Sequence, residues 1–357
     1  MFLTEENVCH YLLEKELISN ESVVDGHFMA ITTKTRNTLF KVLSGPRKLF
    51  IKQASHSDKA SIHILTREAN AYIFIHSHPD YSSLAASLPG LVHFDEDRNI
   101  LTIEYLPDAT DLHTLVMHAR QFSPQLASTS GKVLGSYHFP VHPSYNTNAF
   151  PRLLPWALQL VSHRASDIFP GNEPAARLIA SIQENERFKH LLQELKQEWE
   201  YTSLIHGDVK WINFMVDQPS RLLLIDWELA DIGDPCWDLG GMFQSWLSAW
   251  IFGFSNKDPE SYQLPENMRA FDIEEMQPSI RCLWEGYATE RRLNPKEQER
   301  VLTKSIRYAA ARLVQTSIEG VVYDPHLRPN YLRSLQVAFN ILNDPALALE
   351  TLMGLTV

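Results

Sequence analysis

The sequence predicts an α+β protein in two segregated lobes, an antiparallel sheet with one helix followed by a mainly helical region. Three observations carry this. Between Phe28 and Tyr105 the apolar residues fall in short runs parted by turn residues, as strands do. Within that region, residues 61–76 switch to helical spacing, with Leu65, Ala69, Tyr72 and Ile73 on one face. Beyond Leu106-Pro107-Asp108 almost everything is helical in period, apart from one hairpin near residue 220. Strands first and helices later argue against a doubly wound sheet, in which the two alternate. The lobe boundary is placed between residues 105 and 106, so that residues 1–105 form one lobe and 106–357 the other.

Taken in order, residues 2–19 have helical periodicity, with Leu12, Leu13 and Leu17 on one side. Phe28 to Thr33 and Thr38 to Leu43 read as strands around the polar link Lys34-Thr35-Arg36-Asn37. The turn Ser44-Gly45-Pro46-Arg47 leads to a third strand, Lys48 to Gln53, completing an antiparallel meander. After the helix come strands Gly90 to Phe94 and Asn99 to Tyr105, joined by Asp95-Glu96-Asp97-Arg98. Residues 139–155, rich in Pro, Asn, Ser and His, read as a long loop, and Ser255 to Asn267 as a second irregular stretch.

Composition narrows the function classes. With 44% hydrophobic and 21% charged residues among 357, the chain can bury a sizeable core. A net charge of −11 and the lack of a basic stripe argue against a nucleic-acid partner and mildly favour a cationic ligand. Three cysteines without a C-x-x-C pair suggest neither a disulfide framework nor a zinc site, and point to a reducing, cytoplasmic setting. The N-terminus lacks the basic start and apolar run of a signal peptide. The most apolar stretch, Trp237 to Phe254, holds Asp238 and Gln244 and has no basic flank, so it reads as a buried helix and not a membrane span.

The chemistry is concentrated in Leu204-Ile205-His206-Gly207-Asp208-Val209-Lys210-Trp211-Ile212-Asn213-Phe214-Met215-Val216. A turn at Asp217-Gln218-Pro219-Ser220 leads on to Arg221-Leu222-Leu223-Leu224-Ile225-Asp226-Trp227-Glu228. Two apolar runs joined by a short turn form a hairpin carrying Asp208, Asn213 and Asp226. Phosphoryl transfer needs Mg²⁺ to neutralise phosphate charge and a carboxylate to orient the incoming hydroxyl. Mg²⁺ takes oxygen ligands, usually one or two carboxylates plus phosphate. Asn213 and Asp226 supply such oxygens, and Asp208, five residues before Asn213, can bend towards the substrate.

His-Gly-Asp-x-x-x-x-Asn followed by Ile-Asp-Trp-Glu resembles the aminoglycoside phosphotransferase and choline kinase family, a branch of the two-lobed protein-kinase-like fold. The resemblance spans roughly residues 20–345 and is most specific in this central motif. It implies Asp208 as catalytic base, Asn213 and Asp226 as metal ligands, and Lys210 as a γ-phosphate contact. Gly207 stands where protein kinases have Arg, which favours the small-molecule branch. Phe50-Ile51-Lys52 is similar to the family's phosphate-binding strand. Its partner would be Glu68, in a segment like the family's Arg-Glu-x-x-x-Tyr helix. Thr102-Ile103-Glu104-Tyr105-Leu106 occupies the place of the interlobe hinge, where the backbone of Glu104 and Leu106 would meet the nucleotide base. Leu134-Gly135-Ser136-Tyr137-His138 resembles a helix preceding the catalytic loop. Asp234-Pro235-Cys236-Trp237-Asp238-Leu239-Gly240 matches a closing motif in which Asp238 braces that loop. One departure stands out: the loop between the first two strands has no glycine, leaving Thr35, Arg36 and Asn37 as candidate phosphate contacts.

The resemblance thus implies a kinase using ATP or GTP with Mg²⁺, its first lobe binding nucleotide and its second carrying catalysis and the acceptor. The acceptor would be a small hydroxylated molecule, amino-bearing if the acidic Asp258, Glu260, Glu266, Asp272, Glu274 and Glu275 face it. Two other readings stand beside it: a kinase for Ser or Thr of a modified peptide, and a nucleotide-binding pseudokinase that engages a partner. Several singled-out residues have plainer roles. His206 fits a structural brace, and Trp246, Trp250 and Trp284 fit core packing or an aromatic wall. Arg281, Trp284, Glu285, Tyr287, Arg307, Tyr308 and Arg312 fit either a pocket lining or buried ion pairs. Glu228 fits a hydrogen-bonding role near Asp226 or help at the metal.

Overall fold

The computed structural model describes residues 2–163, 165–217, 221–253, 271–323 and 329–356. The irregular stretch Ser255 to Asn267, with Asp258, Glu260 and Glu266, lies outside them, as do Gln218, Pro219 and Ser220 of the predicted turn. Two compact units are present. The first comprises Met1–Leu115, Asn146–Phe150 and Ile212–Ala230, and the second Val116–Tyr145, Pro151–Trp211 and Asp231–Val357. The hairpin that follows Asn213 therefore packs with the first unit, although a cut after residue 105 leaves it in the second.

The first unit is built on a five-stranded antiparallel sheet: β1 (Phe28–Lys34), β2 (Thr38–Ser44), β3 (Arg47–Gln53), β4 (Leu91–Asp95) and β5 (Ile100–Glu104), in the order β1-β2-β3-β5-β4. Alternation sends Phe40 and Val42 of β2 and Leu49 and Ile51 of β3 into one core with Leu3, Val8, Tyr11 and Leu12. The predicted N-terminal helix is shorter than its periodicity suggests. It runs Val8–Glu14 and stops where Glu16 turns left-handed (φ 55°) and Leu17 N–H bonds to Leu12 O. Ser19 then caps a separate short helix, Asn20–Val24.

The helix Lys59–Ser77 is capped by Asp58, whose carboxylate accepts from both the N–H and the hydroxyl of Ser61. Its buried face is rotated from the predicted one. Leu65, Glu68, Ala69, Tyr72 and Ile75 are inside, whereas Ile73 is 41% exposed. The rotation brings the Glu68 carboxylate inward, a position that hydrophobic periodicity alone does not suggest. A second small sheet joins Thr110–Asp111 to the hairpin Phe214–Asp217 and Arg221–Leu224.

The second unit is mainly helical. Pro124–Gly135 packs on Ile273–Arg291, and Cys236–Gly253 packs on Pro295–Tyr323. The first pair is close because small residues line it. A Cβ on Gly131 would collide with the Leu283 carbonyl, and one on Gly286 with that of Ser128. The apolar run at Trp237 forms the buried helix expected, with Leu239, Phe243 and Leu247 fully inside. Among the described residues no helix is long and apolar enough to cross a membrane.

The hairpin near residue 220 is not the sole β-structure beyond residue 106. Besides Thr110–Asp111, Ser203–Ile205 pairs antiparallel with Asp231–Gly233. Three-residue strands buried on both faces show no alternation, so the sequence gives no signal for them.

Candidate active site

In the first unit, Lys52 projects from β3, paired between Leu39 of β2 and Leu101 of β5. Its Nζ donates to both Glu68 oxygens, at 2.8 and 2.9 Å, and to Asp226 Oδ1 at 2.9 Å. Burial pulls the Lys52 ammonium down, but the carboxylates of Glu68 and Asp226 outweigh it and hold it raised. Burial likewise pushes Glu68 up, to about 7, against the pull of Lys52. These directions conflict for a pair in contact. The ionised pair is the better description, because one ammonium donates to three carboxylate oxygens at once.

Asp226 sits where the strand Arg221–Leu224 gives way to a short turn, Trp227–Leu229. Its backbone is left-handed (φ 69°), a conformation that Asp tolerates better than most residues. The following segment is pinned by Arg67, which donates to the carbonyls of Leu229 and Ala230. Asn213 immediately precedes the partner strand: Phe214 pairs with Leu224, and Ile225 N–H bonds to Asn213 O at 2.9 Å. Asn213 and Asp226 are thereby held at the same end of one hairpin.

The loop between β1 and β2 closes on itself through Thr35 N–H and hydroxyl to Asn37 O. Arg36 reaches out of it to Glu228, Nη2 to Oε2, at 2.6 Å. A cleft of about 580 Å³, within the range of small-molecule sites, is lined by Arg36, Asn37, Lys52, Glu68, Asp226 and Glu228 on its polar side. Leu39, Ile103, Tyr105, Pro107, Met215 and Ile225 supply apolar walls, and Glu104 and Leu106 border it. The Glu104 N–H is taken by Gly90 O and the Tyr105 N–H by Lys48 O. The Glu104 carboxylate accepts from Gly90 N–H and pairs with Arg221.

In the second unit, the loop after strand Ser203–Ile205 carries Asp208. Asp238, fully buried at the start of Cys236–Gly253, accepts from His206 N–H at 2.7 Å and Gly207 N–H at 2.9 Å. Tyr137 Oη donates to it at 3.0 Å and His138 Nε2 at 3.2 Å. Burial would raise the Asp238 carboxyl, but His138, His206 and the loop amide hold it below the ordinary range. Burial lowers His138, so it serves as a neutral donor to Asp238 and accepts from Tyr287 Oη at Nδ1. Gly207 has φ 82°, the one place in this loop where glycine's freedom is required.

Asp208 carries two cationic partners: Lys210 Nζ at 2.6 Å and Arg312 Nη2 at 3.1 Å. Burial raises its carboxyl, and Arg312 and then Lys210 more than reverse this, leaving it low. His206 Nδ1 accepts from Asp208 N–H, the bracing role its sequence position suggests.

The structure thus places Lys52, Glu68, Asn213, Asp226, Arg36 and Asn37 in the first unit and Asp208 and Lys210 in the second. Contacts that were not foreseen include Arg36 with Glu228 and Arg312 with Asp208. The signal for the second was a guanidinium set among Ala310, Ala311, Leu313 and Val314, where an apolar residue would be expected.

Residues 28–271 match the phosphotransferase enzyme family, a span of well over half the chain. The protein belongs to this family. It is accordingly a phosphotransferase that acts on a hydroxyl. A comparison with curated proteins finds no match. Among solved structures, it is similar to an ethanolamine kinase of Plasmodium vivax, with 14% identity and TM-score 0.57, over 96% of this chain and 92% of that one. It is also similar to a choline kinase of Cryptosporidium parvum, with 10% identity and TM-score 0.56, over 97% and 96%. An aminoglycoside phosphotransferase with ADP bound gives 14% identity and TM-score 0.52, over 94% and 97%. At these identities the likeness is one of fold, that of the two-part kinases, and the phosphotransferase has it across nearly its whole length.

Proposed function

We propose that this phosphotransferase moves the γ-phosphoryl group of ATP or GTP to a hydroxyl of a small, amine-bearing molecule. The observation that carries the reading is Lys52. Its ammonium is held by Glu68 and Asp226 in a cleft with apolar walls beside the central strand of the sheet. A fixed cation beside an acid that can take a metal suits a polyphosphate, and the apolar walls suit a base. The backbone of Glu104 and Leu106, which border this cleft, meets the edge of the base.

The donor set fits Mg²⁺. Asn213 and Asp226 lie at one end of a hairpin and are oxygen ligands, as that ion prefers. When bound, Mg²⁺ neutralises charge on the transferring phosphate. Among the described residues no cluster of three or more His, Cys, Asp or Glu could hold a metal without help. Phosphate oxygens of the nucleotide and water would complete the shell. Lys52 binds the α- and β-phosphates. Arg36 and Asn37 contact phosphate from the glycine-free loop. Lys210 leaves Asp208 for the γ-phosphate.

Asp208 orients the acceptor hydroxyl and receives its proton. A carboxyl held low by two cations is a weak base, so its contribution is chiefly positional, which a loose transition state permits. The net charge of −11 supports an amine-bearing acceptor.

The test is ATP and GTP consumption screened against amino alcohols, aminoglycosides, sugars and hydroxylated peptides, with Asp208→Ala and Asp226→Ala in parallel. A small amine should stimulate turnover, Asp208→Ala should abolish it while nucleotide still binds, and Asp226→Ala should lose Mg²⁺-dependent nucleotide binding. Stimulation by peptides alone, or wild-type turnover in Asp208→Ala, would overturn the reading.

A further inference from the structure

We infer that Arg312 is the positioning residue of the reaction, a clamp that fixes the carboxylate of Asp208 by gripping three consecutive residues of its loop. This rests on Asp208 serving as the acceptor-orienting carboxylate. Arg312 lies on the long helix Pro295–Tyr323, more than a hundred residues from the loop in sequence, and is 4% exposed. Its Nη1 donates to Gly207 O at 3.3 Å. Its Nη2 donates to Asp208 Oδ1 at 3.1 Å and to Val209 O at 3.2 Å.

The guanidinium has a further contact in Trp237. Its centre lies 5.2 Å from the Trp237 ring, and Trp237 Nε1 donates to the same Gly207 O at 2.9 Å. Arg312 Nε, by contrast, is buried without a hydrogen-bond partner. A buried donor left unmet is unfavourable, so the three bonds that Nη1 and Nη2 make to the loop hold the side chain in place at that cost.

The cationic or titratable groups that act most strongly on Asp208 within this unit are Arg312 from the long helix, and Lys210 and His206 from its own loop. They are not equivalent. Lys210 is 42% exposed at its side chain and touches the other oxygen, Oδ2, so it is free to swing to a phosphate. Arg312 is 5% exposed at its side chain and anchored at both ends of the loop segment. When Lys210 moves, Arg312 keeps Oδ1 engaged and Oδ2 is presented to the hydroxyl. A lysine cannot replace it, because an ammonium lacks the planar fork that reaches two carbonyls and a carboxylate together.

The experiment compares Arg312→Gln, Arg312→Lys and Asp208→Ala with the wild type in thermal unfolding and in kcat and KM for nucleotide against pH. Arg312→Gln removes the charge, so the acid limb of kcat should move to higher pH. Arg312→Lys keeps the charge and should leave the limb in place while kcat falls roughly tenfold or more through misplacement of the carboxylate. KM for nucleotide should stay near the wild-type value in both. If both variants keep the wild-type kcat and acid limb while Asp208→Ala is inactive, the clamp is refuted and the role of Asp208 stands. If Asp208→Ala remains active, the reading of the reaction fails instead. Should Arg312→Gln not fold, Arg312→Lys decides alone, and wild-type kcat in it overturns the clamp.

Discussion

Lys52 and Asp226, 174 residues apart in sequence, are in direct contact at 2.9 Å, and the same ammonium satisfies the buried carboxylate of Glu68. Lys52→Met removes the cation and leaves Glu68, 1% exposed, without its charge partner. Breaking a buried pair from one side costs about 3–5 kcal/mol. The loss should depend on pH. Burial raises the Glu68 carboxyl in the folded state, so its protonated form fits the folded variant better than the unfolded chain. Stability is then greatest below the ordinary carboxylate range and falls as pH rises through the folded value. Denaturant unfolding of Lys52→Met at pH 5 and pH 8 should show the larger deficit at pH 8, and a deficit independent of pH would contradict the assignment.

Arg36 occupies Glu228 at 2.6 Å, with the two side chains 47% and 24% exposed. An exposed pair of this kind contributes about 0–1 kcal/mol, so an incoming phosphate can displace it. Two variants separate the roles. Glu228→Gln frees the guanidinium, and metal-free ADP should bind up to about fivefold more tightly. Arg36→Ala removes a charged phosphate partner, and affinity should fall about tenfold or more. Calorimetric titration reads both, and an Arg36→Ala affinity equal to wild type would remove Arg36 from the phosphate site.

Much of this was legible in the sequence, for reasons that differ between elements. β1, β2 and β3 show alternating burial and all five strands are bounded by turn residues, so β1 to β5 fall within a residue or two of their predicted ends. The spacing of Asp208, Asn213 and Asp226 is local, set by one loop and one hairpin. What escaped was set by contacts distant in sequence. The rotation of Lys59–Ser77 that exposes Ile73 follows from the need to bury Glu68 against Lys52, and no periodicity encodes that. The early stop of the first helix turns on the left-handed Glu16, where nothing in the hydrophobic pattern marks a break. Arg312 was visible as a misfit on an apolar face, but its partner lies 104 residues away.

Asp238 joins four donors: two loop amides, Tyr137 Oη and His138 Nε2. Asp238→Asn keeps the shape, but it places an amide N–H₂ against donors and removes the charge. The expected loss is about 3 kcal/mol, with activity falling further because the loop before Asp208 is released. The sign of the pH effect follows from the lowered carboxyl. Its contribution is present above the unfolded value, about 4, and is lost as pH falls through the folded value. Acid titrations of stability should therefore show a wild-type advantage over Asp238→Asn that is full at neutral pH and shrinks on acidification. A constant difference down to pH 2 would mean that the carboxylate is not the group holding the loop.

Gly241 offers a way to disturb the loop without touching any polar group in it. It lies on Cys236–Gly253, where alanine is intrinsically favoured over glycine by about 1 kcal/mol. A Cβ there would collide with Val209 O and approach Arg312 Nε to 3.1 Å. The carbonyl is backbone and cannot swing aside as a side chain tip would, so either the helix or the loop must shift. Overpacking of this kind costs about 1–3 kcal/mol, which the gain in helix propensity partly offsets. Gly241→Ala should thus be destabilised only modestly, by about 1 kcal/mol. Its kcat should fall much more than that loss implies, because Val209 is the residue next to Asp208 and the acceptor of the Arg312 fork. Thermal unfolding alongside kcat at saturating nucleotide separates the two effects. A variant with a lowered Tm and unchanged kcat would show that the loop tolerates displacement, and that the position of Asp208 is set elsewhere.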